Sequence, residues 1–200
     1  MKELIVTVET LSPLHLGNGK ANIIVDAEIV HDEYGMPYFP AKRLKGLLYE
    51  SALELFEMSN GSLFEYEDLE KLFGHADDGE AGFKLNNLYL PDYFEKRREW
   101  EYLFGKYHGL FNRFNVLDTY TSLLYQTQID IDTGVAKDGT LHNMRLIDDG
   151  IVFSGTLELF SDNEADFKIL VMAAKNLRFA GYKRNRGNGR IKCMLTEKKN

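Results

Sequence analysis

The strongest constraint in this sequence is a pair of helical apolar stripes, each flanked by runs that read as strands. Leu44, Leu47, Leu48, Ala52, Leu55 and Phe56 recur at helical spacing, and so do Phe167, Leu170, Val171, Ala174 and Leu177. Pro40 precedes the first stripe, so a helix is predicted from near Ala41 to near Ser59-Asn60-Gly61, and a second over residues 163–178. Before the first helix, Leu4, Val6 and Val8 alternate with Ile5 and Thr7, the pattern of a buried strand. Before the second, residues 144–148 and 151–160 are predicted to pair as a hairpin about Asp149-Gly150, and residues 190–196 close the chain as a strand. The order strand, helix, strand, strand, helix, strand predicts an α+β fold of the ferredoxin-like βαββαβ type.

One domain over residues 1–200 is expected, with residues 60–125 inserted between the first helix and the second strand. That block reads as largely helical: 65–73 is a short helix ended by Gly74, 91–105 and 114–125 are helices, and 83–90 is a strand. The Phe, Tyr and Trp residues of 83–125 read as packing rather than as base-stacking platforms. Residues 22–30 read as extended, Thr127 to Ile131 as a strand, and 132–143 as a polar loop. A chain of this length buries a core without staples. Its single cysteine, Cys193, excludes an intrachain disulfide and a cysteine zinc cluster, and is expected in the core. His31, His75, His108 and His142 are too widely spaced for a recognisable metal signature. No apolar run has the length of a membrane span and the first ten residues lack a signal layout, so a cytoplasmic protein without membrane contact is expected.

The net charge of −7 argues against a generic nucleic-acid binder, but the charges are segregated. No acid lies between Asp166 and Glu197, a span with Lys168, Lys175, Arg178, Lys183, Arg184, Arg186, Arg190 and Lys192. From Glu50 to Glu80 the reverse holds, with Lys71 as the only base. The second helix places Glu164 and Asp166 early and Lys175 and Arg178 late, as its dipole favours. The first does the opposite, with Lys42, Arg43 and Lys45 at its start and Glu50, Glu54 and Glu57 later. Each misplaced charge costs about 0.3–1 kcal/mol. Either that small penalty is tolerated on a solvated face, or an anion sits at the helix start. Residues 181–189 (GYKRNRGNG) add a basic loop in which glycines permit close backbone approach and Tyr182 offers a stacking surface. Neither a phosphate-loop nor a dinucleotide fingerprint is present.

Four stretches together resemble the RAMP superfamily of CRISPR-associated proteins, especially the small backbone subunits of type III effector complexes. They are Ser12 to Gly19, Pro37 to Gly46, Ile129 to Ala136 running on through Phe153, and Gly181 to Arg190. The resemblance implies a modified RNA-recognition fold that polymerises along a CRISPR RNA and meets target RNA and other effector subunits, copies of itself included. It implies RNA contacts from His15, Gly17, Asn18 and Lys20, from Lys42, Arg43 and Lys45, and from Tyr182, Lys183, Arg184, Arg186 and Arg190. The 132–143 loop, or the hairpin beside it, takes the place of a thumb that kinks the guide–target duplex. Asp26 stands where catalytic subunits carry an aspartate for target cleavage with a divalent metal such as Mg2+. The departures are Asn22-Ile23-Ile24-Val25 in place of glycines before that aspartate, and Ala41-Lys42-Arg43 in place of Gly-Ser-Ser. Asp26 therefore reads either as catalytic or as an exposed strand residue of a non-catalytic scaffold. Two further readings stay open: an endoribonuclease processing CRISPR RNA through His15, and a ferredoxin-like small-molecule or interaction domain.

Overall fold

The alternation at the start of the chain becomes β1 (Lys2–Thr10), with Leu4, Val6 and Val8 fully buried on one face. The computed structural model describes residues 2–21, 24–74, 79–107 and 109–198. Asn22 and Ile23 of the extended segment, His75, His108, and Asp77 and Asp78 of the acidic run lie outside the described residues. β1 pairs antiparallel with β5 (Val152–Leu159) on one side and β6 (Ile191–Glu197) on the other, and β2 (Phe83–Leu85) pairs antiparallel with β5. The resulting sheet has the order β2-β5-β1-β6. Its register puts Val8 between Phe153 and Cys193 on the core face, and Thr7 between Ser154 and Met194 on the other.

Both predicted helices form, as α1 (Ala41–Ser59) and α5 (Glu164–Asn176). Their stripes join the buried sheet face in one apolar core that includes Leu44, Leu48, Ala52, Leu170 and Ala174. Ser51 Oγ donates to the Ala173 carbonyl (2.9 Å) and Asn176 Nδ2 to Glu54 Oε2 (2.8 Å), so the one polar seam between the helices is hydrogen-bonded. α5 starts on Asn163, whose side chain accepts from the Ala165 N–H, with Glu164 and Asp166 in its first turn. α1 starts on Pro40 with no side-chain cap and no acid in its first turn.

Besides β2, five elements lie between α1 and β5: α2 (Tyr66–Phe73), α3 (Tyr93–Lys106), α4 (Arg113–Tyr120), and the strands β3 (Thr121–Gln126) and β4 (His142–Ile147), which form a second, two-stranded sheet. Most aromatics here pack on one another, as Tyr89 stacks on Tyr93 at 4.2 Å and Trp100 meets Phe104 at 6.0 Å. Phe94 meets Tyr93 edge-on at 5.3 Å and, like Tyr102, stays exposed on its outer side.

Three local expectations change. The chain does turn at Asp149-Gly150, with Gly150 at φ 76°, but the flanking strands do not pair with each other. Thr10 holds that turn, its carbonyl accepting from the Gly150 N–H and its hydroxyl donating to the Asp148 carbonyl, which sends β4 and β5 into different sheets. The predicted helix over 114–125 stops at Tyr120, and Thr121 Oγ1 donates back to the Leu117 carbonyl at 2.6 Å. The next six residues are β3, and Thr127 to Ile131 lie beyond it in an exposed excursion. Val116, Leu117, Leu123 and Leu124 fit a helical period as well as a helix followed by a strand, which is why periodicity alone misplaces this boundary. Residues 24–30 form no strand and make isolated bridges, Ala27 with Met144 and Ile29 with Gly17.

Candidate RNA-binding cleft

Two loops and a helix start meet at one end of the main sheet. The loop after β1 is anchored to β4 by reciprocal hydrogen bonds between Leu14 and Ile147, both 2.8 Å. The glycine loop after α5 is sewn to the same segment: the Tyr182 N–H donates to the His15 carbonyl (3.2 Å) and the Gly189 N–H to the Pro13 carbonyl (2.8 Å). Gly181 (φ 77°) and Gly189 (φ 79°) make this approach possible, since a Cβ would stand 2.5 Å from the His15 carbonyl oxygen at the first and 2.1 Å from the Ala180 carbonyl oxygen at the second. The start of α1 completes the arrangement, with Arg43 donating from Nη2 to the Gly17 carbonyl.

Between these segments lies a cleft of about 760 Å³. His15, Gly17, Lys20, Asp26, Lys42, Arg43, Tyr182 and Arg184 line it, so eight of the residues singled out from sequence share one wall-to-wall space. A second cleft of about 510 Å³ shares Lys20, Glu28 and Arg43 with the first and carries Asn18, His31 and Arg113. Asn18 shapes this junction: its Nδ2 donates to the Ile29 carbonyl (2.9 Å) and its Oδ1 accepts from the Lys20 N–H (2.7 Å).

Other residues from the same set point elsewhere. Lys45 lies over the Phe83 ring at 5.6 Å, where burial lowers its pKa. Lys183 donates to Gln126 Oε1 and sits over Tyr182 at 5.6 Å. Arg186 belongs to the exposed turn Arg184–Arg186, and Arg190 lines a separate basic groove with Lys175, Arg178 and Lys192. The basic run of the sequence is therefore divided between two faces.

Asp26 is exposed on the cleft wall. Its Oδ2 accepts from the Asn143 N–H (2.8 Å), its own N–H donates to Asn143 Oδ1 (2.9 Å), and Asn143 Nδ2 donates to the Ile24 carbonyl (2.9 Å). Of the other acids on that wall, Glu28 is within 3.1 Å of Arg145 Nε and Glu50 within 3.9 Å of Arg184. Among the described residues, no three His, Cys, Asp or Glu side chains converge as metal ligands. The donor set does not amount to a resident Mg2+ site, which leaves Asp26 as a lone carboxylate beside cationic side chains.

The sequence reading missed what holds these loops in place. Arg145 is 2% exposed; its Nη1 donates to Asp118 Oδ1 (2.7 Å) and Thr121 Oγ1 (3.0 Å), and its Nε faces Glu28 without the alignment of a hydrogen bond. Its carbonyl accepts from His15 Nδ1 at 2.8 Å. The available signal was one arginine inside the apolar run Met144-Arg145-Leu146-Ile147, a charge where a strand otherwise buries its side chains.

The model of the RAMP superfamily matches residues 7–192. Among solved structures, a chain of "Type III-B Cmr-beta bound to cognate target RNA" superposes with a TM-score of 0.71 at 13% identity, covering 98% of this chain and 97% of that one. A chain of the apo state of Type III-B Cmr-beta gives 0.70 at 14% identity, covering 100% and 98%. No curated protein sequence matches. Among the described residues, no helix is long and apolar enough to cross a membrane.

Proposed function

Since the chain belongs to the RAMP superfamily, we propose that it is an RNA-binding backbone subunit of a type III CRISPR effector complex. It would hold CRISPR RNA in the cleft and meet target RNA, neighbouring subunits and further copies of itself. The observation that carries this reading is the convergence of the loop after β1, the uncapped start of α1 and the glycine loop on one space lined by Lys20, Lys42, Arg43 and Arg184. Phosphates are acceptor-only anions, and a helix start with added cations answers both properties. The test is purification from the source with sequencing of any bound nucleic acid. Repeat-derived RNA supports the reading, and its absence removes it.

In this reading the four-stranded sheet with α1 and α5 is the ferredoxin-like core, in the order β1-α1-β2-β5-α5-β6. The exposed excursion between β3 and β4 is the thumb; Ile129, Ile131, Val135 and Leu141 are all exposed along it, a rare outlay of apolar surface on a loop that touches no core.

A second reading adds cleavage of bound target RNA through Asp26, favoured by the exposure of that carboxylate on the cleft wall at the root of the excursion. Asp26→Asn keeps an acceptor for the Asn143 N–H and removes the charge. Loss of target cleavage with guide binding intact supports it; unchanged cleavage eliminates it.

A further inference from the structure

His15 presents the cleft with a hydrogen-bond acceptor. The residue is 6% exposed, and its Nδ1 lies 2.8 Å from the backbone carbonyl of Arg145. A carbonyl only accepts, so Nδ1 carries the hydrogen, and in the neutral ring Nε2 is left with a lone pair. Gly17 stands directly against that nitrogen: a Cβ there would lie 2.5 Å from Nε2. Among the described residues nothing hydrogen-bonds Nε2, and His15 lines the cleft. A phosphate oxygen offers no hydrogen to such a nitrogen. On a nucleic-acid backbone the one hydrogen-bond donor is the ribose 2′-hydroxyl.

Resting on the RNA-binding reading above, we propose that His15 Nε2 accepts a hydrogen bond from a ribose 2′-hydroxyl whose neighbouring phosphate is held by Lys42, Arg43 or Arg184. His15 is then the residue that makes the cleft select RNA over DNA of the same sequence. Tyr182, exposed and edge-on to the imidazole at 6.4 Å, offers a ring on which the base can stack.

The test compares a single-stranded RNA, its DNA counterpart, and RNAs with single 2′-deoxy substitutions, bound to the full chain at one salt concentration. His15→Asn places an amide NH2 where Nδ1 donates to the Arg145 carbonyl and has nothing at the position of Nε2. It is expected to weaken RNA binding about 3–10-fold, the worth of one ordinary hydrogen bond, and to leave DNA binding unchanged. One 2′-deoxy substitution is expected to cost the unmodified protein the same factor and the variant nothing further. The 2′-deoxy arm on the unmodified protein needs no variant, so a preference for RNA unchanged by every 2′-deoxy substitution overturns the inference even if His15→Asn melts early. Equal losses on RNA and DNA, an unchanged preference, or RNA cleavage that disappears with His15 each overturn the inference. A protein that binds neither nucleic acid refutes the RNA-binding reading itself.

Discussion

Arg145 and Glu28 form a charge pair almost without water, with side chains 3% and 5% exposed. Such a pair adds little net stability while both members are present, but removing one leaves the other charged and buried. Arg145→Met is therefore expected to cost about 3–5 kcal/mol, read as a fall in the denaturant midpoint, and Glu28→Gln added to it should recover part of the loss. A full additive loss in the double variant would show that the two are not coupled. Cys193 is a second buried titratable group, with burial pushing its thiol up to about 12. The native protein should resist a thiol reagent at pH 8 and react once unfolded. The unfolded thiol ionises at pH ~8.5 and the folded one at about 12, so its contribution to stability is complete below pH ~8.5 and is lost as pH rises, at up to about 1.4 kcal/mol per unit. Cys193→Ala should flatten that decline.

The excursion between β3 and β4 is an element whose removal the fold should tolerate. Gln126 and His142 are direct cross-strand partners, and between them only Asp130 and Thr140 are even half-buried. Replacing residues 127–141 by Asn-Gly would join those partners through a two-residue turn suited to the strand twist. The shortened protein is expected to keep its melting temperature within a few degrees and to bind single-stranded RNA in the cleft, while losing any distortion it imposes on a guide–target duplex. A collapse in stability would show that the excursion carries part of the core. This element also marks the limit of what sequence reveals. α1 and α5 are legible because their stripes run more than two turns and their boundaries carry Pro40 and Asn163. β2 has three residues, and its place at the sheet edge is decided by pairing with β5, more than seventy residues away. The separation of β4 from β5 depends likewise on Thr10. In the cleft, the loops and helix start are legible because charge and glycine are local signals. The Arg145–Glu28 pair and the Asp26–Asn143 exchange join residues over a hundred positions apart, which no local pattern encodes.

At the scale of the molecule, the proposed function asks how a chain of net charge −7 would hold a polyanion in one place. The acids of α1 and α2 lie toward the far end of α1 and beyond, while Lys42 and Arg43 sit at its start, so one helix separates the two signs along its length. In the proposed role, RNA would be attracted to the cleft and repelled from the rest of that face, which would suppress binding without register. Counterion release makes this measurable, because single-stranded binding loses about 0.7 in the slope of log K against log salt for each phosphate contact removed. Lys42→Gln with Arg184→Gln is expected to lower that slope by about 1.4 and to weaken binding at low salt. Glu57→Gln with Glu67→Gln, which changes net charge by the same amount in the opposite sense, should leave the slope alone and raise only the weak, sequence-independent component. If both pairs shift the slope alike, binding follows total charge and the cleft is not where RNA is held.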